Sequence, residues 1–152
     1  MISNFLYIVL GSLILLTLLL TGPLLVYLSG QLDLKTHWSK ANLKSAGDAP
    51  NPESFNPAIV RVYYARAYNW RGAFASHTWI ALKEKNGYSY QIFQVIGWRL
   101  YQNQSTIDIH FGEPDRYWYG QRPILAGKVL GEKAELAIIK IREASNNYPY
   151  AN

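Results

Sequence analysis

From Phe5 to Leu28 nearly every position is apolar, with Ser12, Thr17 and Thr21 as the weakly polar interruptions. At about 1.5 Å per residue such a run crosses a hydrocarbon core of about 30 Å with some tilt, so the pattern predicts a transmembrane helix. Pro23 removes one backbone donor near its end, which membrane helices tolerate. The run is too long for the apolar region of a cleavable signal, and Met1 to Asn4 carry no basic side chain. A lipoprotein signal is excluded, because Gln31 stands where its cysteine would be required.

Periodicity then disappears. Residues 31–44 could form a short juxtamembrane helix with Trp38 at the interface, or a solvated tether. Residues 45–57 hold Pro50, Pro52 and Pro57 and no apolar repeat, which reads as a linker stiffened by proline. Alternation resumes at Ile59 to Tyr68, a predicted strand with Val60, Val62 and Tyr64 on one face. The turn at Asn69 to Gly72 leads into a second strand, His77 to Lys83. Asn86-Gly87 suggests a tight type I′ hairpin to a third strand at Tyr88 to Ile96. Gly97 marks a bend, Thr106 to Phe111 is a further short strand, and Gly112 to Gly120 is turn-rich and aromatic. Beyond Gly131, Ala134, Ala137, Ile138, Ile141 and Ala144 share one face of a helix over Glu132 to Ser145. The expected organisation is therefore an anchor over 1–30, a juxtamembrane segment and linker over 31–57, and an α+β domain over 58–152. In that domain one C-terminal helix packs on a small antiparallel sheet. One helix covers one face, so the other must be covered by the sheet's own aromatics, a partner, or sequence absent from this chain.

Charge changes this picture only in the domain. The net charge is +5; three lysines balance three acids between Gln31 and Pro57, and from Ala58 onward twelve Lys/Arg face seven Asp/Glu. A basic domain attracts anionic partners such as phospholipid headgroups or envelope polymers, but with no run of basic residues and no nucleic-acid motif, nothing points to nucleic acid and an ordinary soluble surface that happens to be basic explains the excess as well. Lys35, Lys40 and Lys44 follow the helix and nothing basic but the α-amine precedes it, which by itself favours a cytoplasmic domain. With no cysteine there is no disulfide, no thiolate metal site and no cysteine nucleophile.

Candidate chemistry gathers at Trp70-Arg71-Gly72-Ala73-Phe74-Ala75-Ser76-His77-Thr78-Trp79, where a glycine-containing turn delivers a histidine onto a strand. His77 suits a general base or a hydrogen-bonding role, and equally a structural histidine bound to a loop carbonyl. Asp108 and His110 lie two apart on a strand and could join His77 at a metal, although ordinary exposed polar positions explain them as well; no metal or cofactor is assigned. Ser76 and Thr78 flank His77 and should face away from it, so neither forms a dyad with it. Glu113 and Asp115 could be a carboxylate pair, but capping of the turn backbone is the commoner role around a proline. Trp70, Trp79, Trp98, Tyr117, Trp118 and Tyr119 could line a groove, while a domain of this size needs most of them as core. The predicted binding set is Trp70, Arg71, His77, Trp79, Trp98, Asp115 and Trp118, with His77 the one catalytic candidate.

The segment from Ala65 to Phe74 with His77-Thr78-Trp79-Ile80-Ala81, then Val95-Ile96-Gly97-Trp98, Pro114 to Gly120 and Tyr148-Pro149-Tyr150, resembles the bacterial family catalogued as domain of unknown function 3750. The likeness covers about 95 residues by the order of these motifs and brings no activity with it. Similar proteins continue past the Tyr-Pro-Tyr element into a Trp-Pro-Gly-Pro-Asn-Ser-Asn-type motif, so the resemblance implies a chain that stops short of it. A weaker, fold-level likeness runs to circularly permuted papain-like hydrolases of the NlpC/P60 kind, whose histidine His77 would match and whose cysteine has no counterpart here. These resemblances imply a single-pass protein of the bacterial inner membrane, held in the bilayer by residues 5–28, with its domain leaning to the outer side against the lysine count. The first expectation is a non-catalytic module binding an anionic envelope component around His77, Arg71 and Trp79. The alternative is a hydrolase or amidase whose nucleophile lies outside this chain.

Overall fold

The computed structural model describes residues 2–149. Helix α1 (Ile2–Leu28) runs through Pro23, and its Asn4–Leu28 segment has a mean hydropathy of 2.4 and is long and apolar enough to cross a membrane. Ser12, Thr17 and Thr21 each donate to the carbonyl four residues back at 2.8 Å, so the hydroxyls of the run are satisfied within the helix itself.

Five strands follow: β1 (Ile59–Arg66), β2 (Ser76–Lys83), β3 (Gln91–Val95), β4 (Ile107–Phe111) and β5 (Ile124–Leu130). They form one antiparallel sheet in the order β4-β3-β2-β1-β5. Helix α2 (Glu132–Asn146) completes the α+β fold, with Glu132 and Glu135 in its first turn where the helix dipole favours acids. Two differences from the sequence reading follow from local chemistry. Strand β3 begins at Gln91 rather than Tyr88, because only Asn86 of the Asn-Gly pair takes a positive φ (58°) and the connection from Lys83 is a longer loop. Strand β5 carries no sequence signal: Ile-Leu-Ala-Gly-Lys-Val-Leu does not alternate, and all seven residues are exposed at the sheet edge.

Helix α2 covers one face. Ala134 and Ile138 sit among Ala58, Val60, Leu82 and Phe93, with Ala137 and Ile141 half-buried beside them, as the 3.6-residue spacing requires. Burial of Ile138 contributes about 1.5–3 kcal/mol. On the opposite face lie Tyr63, Ala65, Trp79, Ala81, Tyr90 and Ile92, capped by Trp118.

What covers that second face is the segment expected to be a short juxtamembrane helix or tether followed by a linker, in which the structure has a 3-10 turn at Trp38–Lys40. Residues 31–57 do not run free: they cross the sheet as a strap held by hydrogen bonds. Arg66 donates to Gln31 Oε1 and Tyr68 Oη to the Thr36 carbonyl at 2.8 Å. The Gly120 and Tyr117 amides donate to the carbonyls of Asn42 and Lys44, and Ala46 N donates to the Asp115 carbonyl. Arg61 Nη2 reaches the Asp48 carbonyl, Tyr90 Oη the Pro50 carbonyl, and Asn86 N the Asn56 carbonyl. Phe55 packs on the core beneath. The prolines keep the strap extended while its backbone groups find partners on the sheet and on the loop before β5.

The turn before β2 also departs from expectation. Asn69, with φ 61°, supplies its backbone reversal. Gly72 is instead the point of closest approach: an added Cβ would lie 2.5 Å from the Ala67 carbonyl oxygen and 2.9 Å from Leu32.

Candidate functional site

Strand pairing decides which side chains share the strap-covered face. Ala65 opposes His77, Tyr63 opposes Trp79, Trp79 opposes Gln94, and Gln94 opposes Asp108. With a period of two along each strand, His77, Trp79, Gln94, Asp108 and His110 project to one side, and Ser76 and Thr78 to the other.

The imidazole is fixed by a chain of bonds across three strands. Gln94 Nε2 donates to Asp108 Oδ2 at 2.7 Å, and a carboxylate can only accept, so Gln94 presents its Oε1 to His77 Nε2 at 2.9 Å. His77 therefore carries its proton on Nε2 and its lone pair on Nδ1. Asp108 is held in turn by Arg99 Nη1 at 2.8 Å and by His110 Nδ1 at 3.1 Å, while Arg99 Nε donates to the Ser105 carbonyl. Burial lowers the His77 pKa from 6.5; the Gln94 bond pulls it up, and the positive charge of Arg116 adds to the lowering. The ring is neutral at pH 7. Its face stacks on Trp118 with centroids 3.6 Å apart and planes at 11°, and Trp79 lies 5.9 Å away. Deeper in the same face Tyr63 stacks on Trp79, and burial pushes its hydroxyl up to about 12, out of reach of acid–base work near neutrality.

His77 opens into a cleft of about 430 Å³ walled mainly by Trp38, Tyr68, Arg71, Trp98, Trp118 and Tyr119, with Ala67 and Ser76 also at its border. Arg71, His77, Trp98 and Trp118 of the predicted binding set meet there. Trp79 lies beneath them, 3% exposed, with its Nε1 donating to the Pro114 carbonyl at 2.7 Å. Trp70 lies on the far side of its turn, beside α1. Asp115 is fully buried under the strap and accepts from Ser45 Oγ (2.6 Å), Asp48 N (2.5 Å) and Ala49 N (2.9 Å), so these bonds go to the distant strap rather than to the backbone of its own turn. Asp108 and His110 pair with each other, but among the described residues no group of three His, Cys, Asp or Glu side chains is arranged to hold a metal ion.

Gln94 and Arg99 escaped the sequence reading. The inward positions of the third strand run Tyr90, Ile92, Gln94, Ile96, and one amide in an otherwise apolar, buried row is the signal that marks it, because a buried amide needs partners. Trp38 escaped as a cleft residue because it belongs to the strap. Tyr150, part of the C-terminal motif, lies outside the described residues.

No curated protein and no solved structure matches the chain. A family model described as "Protein of unknown function (DUF3750)" matches residues 57–152, which take in all five strands, α2 and His77 with its Gln94–Asp108 support. Strap and membrane-type helix precede the matched region, and on the strength of that match the chain belongs to the DUF3750 family.

Proposed function

We propose that this is a single-pass protein of the bacterial cell envelope, anchored by α1, whose domain lies outside the cytoplasm and binds an anionic envelope component without chemically altering it. The observation that carries the reading is the convergence of Arg71, Trp98 and Trp118 on a neutral, oriented His77. Aromatic faces take up a planar or sugar ring, His77 Nδ1 accepts one hydrogen bond, and Arg71 faces the negative charge. Acyl transfer needs a nucleophile within reach of its base; Ser76 borders the cleft, but it and Thr78 alternate with His77 along β2, which directs their side chains away from the imidazole.

One feature favours a second reading. A histidine whose Nε2–H is held by an amide, itself held by a carboxylate, leaves Nδ1 as a base of fixed orientation. This supports a hydrolase or amidase of the permuted papain-like kind with its nucleophile supplied from outside this chain.

The intact protein in detergent micelles, incubated with peptidoglycan peptides and acyl amides, separates the two. Binding predicts saturable quenching of tryptophan emission that weakens in Trp98→Ala and Arg71→Gln, with hydrolysis no faster than in His77→Ala. Turnover that disappears in His77→Ala, with the circular dichroism unchanged, would put the hydrolase first. Protease added to spheroplasts should cut the domain; protection until lysis would reverse its assigned side.

A further inference from the structure

The 3-10 turn Asn69–Ala73 carries two exposed aromatics that the cleft does not use: Trp70 is 58% exposed and Phe74 62%. They stand against Leu20, Pro23, Leu24 and Tyr27 of α1, around an almost wholly apolar hollow of about 260 Å³. The α1 side of the hollow begins at Tyr27, one residue before the end of α1 at Leu28, and reaches back to Leu20, so at about 1.5 Å per residue it extends from the helix end to about 12 Å along the axis. If Leu28 marks the edge of the apolar span, Trp70 and Phe74 sit inside the leaflet rather than above it. Arg71, next in the chain, places its guanidinium 5.3 Å from the Trp70 ring centre and also lines the His77 cleft.

We infer that Trp70 and Phe74 form a wedge inserted into the same leaflet as the C-terminal end of α1, with Arg71 at the level of the phospholipid phosphates, so that the His77 cleft opens onto the membrane surface. The occupant of the apolar hollow is then phospholipid acyl chain. An indole and a phenyl ring beside a guanidinium have the polarity gradient of the boundary region, where amphipathic aromatics settle and arginine meets phosphate. The anchor and wedge together give the domain two points of attachment. Its tilt against the bilayer is thereby fixed, and a ligand would reach His77 along the headgroup layer rather than from bulk water. This inference rests on α1 spanning the membrane, as proposed above.

The chain contains no cysteine, so single labels can be placed without background. Phe74→Cys, Leu16→Cys within α1 and Tyr88→Cys, at a 79% exposed loop position, would each carry an environment-sensitive fluorophore in the full chain. Each protein is reconstituted in phosphatidylcholine–phosphatidylglycerol nanodiscs containing lipids with nitroxides at shallow or deep acyl positions. The expected result is loss of Leu16-label emission to the deep nitroxides, loss of Phe74-label emission to the shallow ones, and neither at Tyr88. A Phe74 label that stays as unquenched as the Tyr88 label, beside a quenched Leu16 label, overturns the wedge and leaves the anchor standing. An unquenched Leu16 label overturns the anchor and the wedge with it. Because a dye could itself draw the turn into lipid, Trp70→Cys/Phe74→Ser labelled at position 70 serves as a second probe, and it too must be quenched by shallow nitroxides.

Discussion

Replacing Asp115 by alanine should release the strap. The Asp115 carboxylate accepts three hydrogen bonds from residues 66–70 positions earlier in the chain, and its loss leaves Ser45 Oγ–H, Asp48 N–H and Ala49 N–H without an acceptor. A buried donor left unpaired costs about 1–3 kcal/mol. The strap here borders a cleft of about 500 Å³ lined by Ser45, Ala49 and Asp115 itself, so water can reach part of the site and each loss belongs near the lower end of that range. The sum is about 3–5 kcal/mol against a total stability that for a domain of ordinary size is about 5–15 kcal/mol. Asp115→Asn keeps the shape and one oxygen but turns an amide N–H₂ towards donors, and should lose about 1–3 kcal/mol. Ser45→Ala removes one bond and should lose about 1 kcal/mol. Urea unfolding of the intact protein in nonionic micelles, followed by near-UV circular dichroism of the tryptophans, gives the three values. Limited proteolysis gives the location: cleavage within residues 45–57 should precede loss of the sheet. A loss under about 1 kcal/mol for Asp115→Ala, with no new cleavage in the strap, would refute the claim that this carboxylate holds the second face closed.

Gly72→Ala should cost about 1–3 kcal/mol by overpacking, since its methyl must displace the Ala67 carbonyl or Leu32, and should broaden the His77 and Arg71 resonances; a stability equal to wild type would remove the close-approach explanation. For His77 the folded pKa is lowered from 6.5, so the unfolded chain binds the proton that the folded chain resists. Stability should be fully present above about 6.5 and fall as pH drops from there through the lower folded value. Denaturation midpoints at pH 7.5 and 5 should differ by less in His77→Gln than in wild type, and equal differences would show that the imidazole is not held neutral by its surroundings.

The legible elements were those whose pattern arises from one face meeting one partner. β1, β2 and α2 announce themselves because their buried positions recur at 2.0 or 3.6 residues, and α1 because its apolar run is long. β5 has no buried face and no alternation to find. The strap is invisible for a different reason: its sequence leaves residues 31–44 open between a short helix and a tether and marks 45–57 as a proline-stiffened linker, while many of its attachments run through backbone N–H and C=O groups, which have no letter in the sequence. The role of Asp115 is hidden because its donors, Ser45, Asp48 and Ala49, lie 66–70 residues earlier in the strap and cannot be seen from the turn. His77 and Trp79 are legible because costly side chains cluster within residues 70–79, whereas Trp118 reaches His77 only through the fold and Gln94 acquires its role only when β3 pairs between β2 and β4.

The strap also changes what family membership can carry. The matched region begins at residue 57, yet Trp38 is a wall of the cleft, and Tyr68, another wall, is tied through its hydroxyl to the Thr36 carbonyl. Arg66 clasps Gln31 with Nε and Nη2 and donates from Nη1 to the Gly72 carbonyl, so the first strap residues and the turn bearing Arg71 share one guanidinium. The cleft is thus built mostly from the domain, with Trp38 as the wall that the strap contributes. Withdrawing the helix from its surroundings would pull on Gln31, and through Arg66 on the turn that positions Arg71 and leads into His77. The cleft is in this way coupled to the end of α1 through a few residues, and a domain cut at residue 57 should keep the His77–Gln94–Asp108 chain while losing Trp38 from the cleft wall and the Thr36 partner of Tyr68.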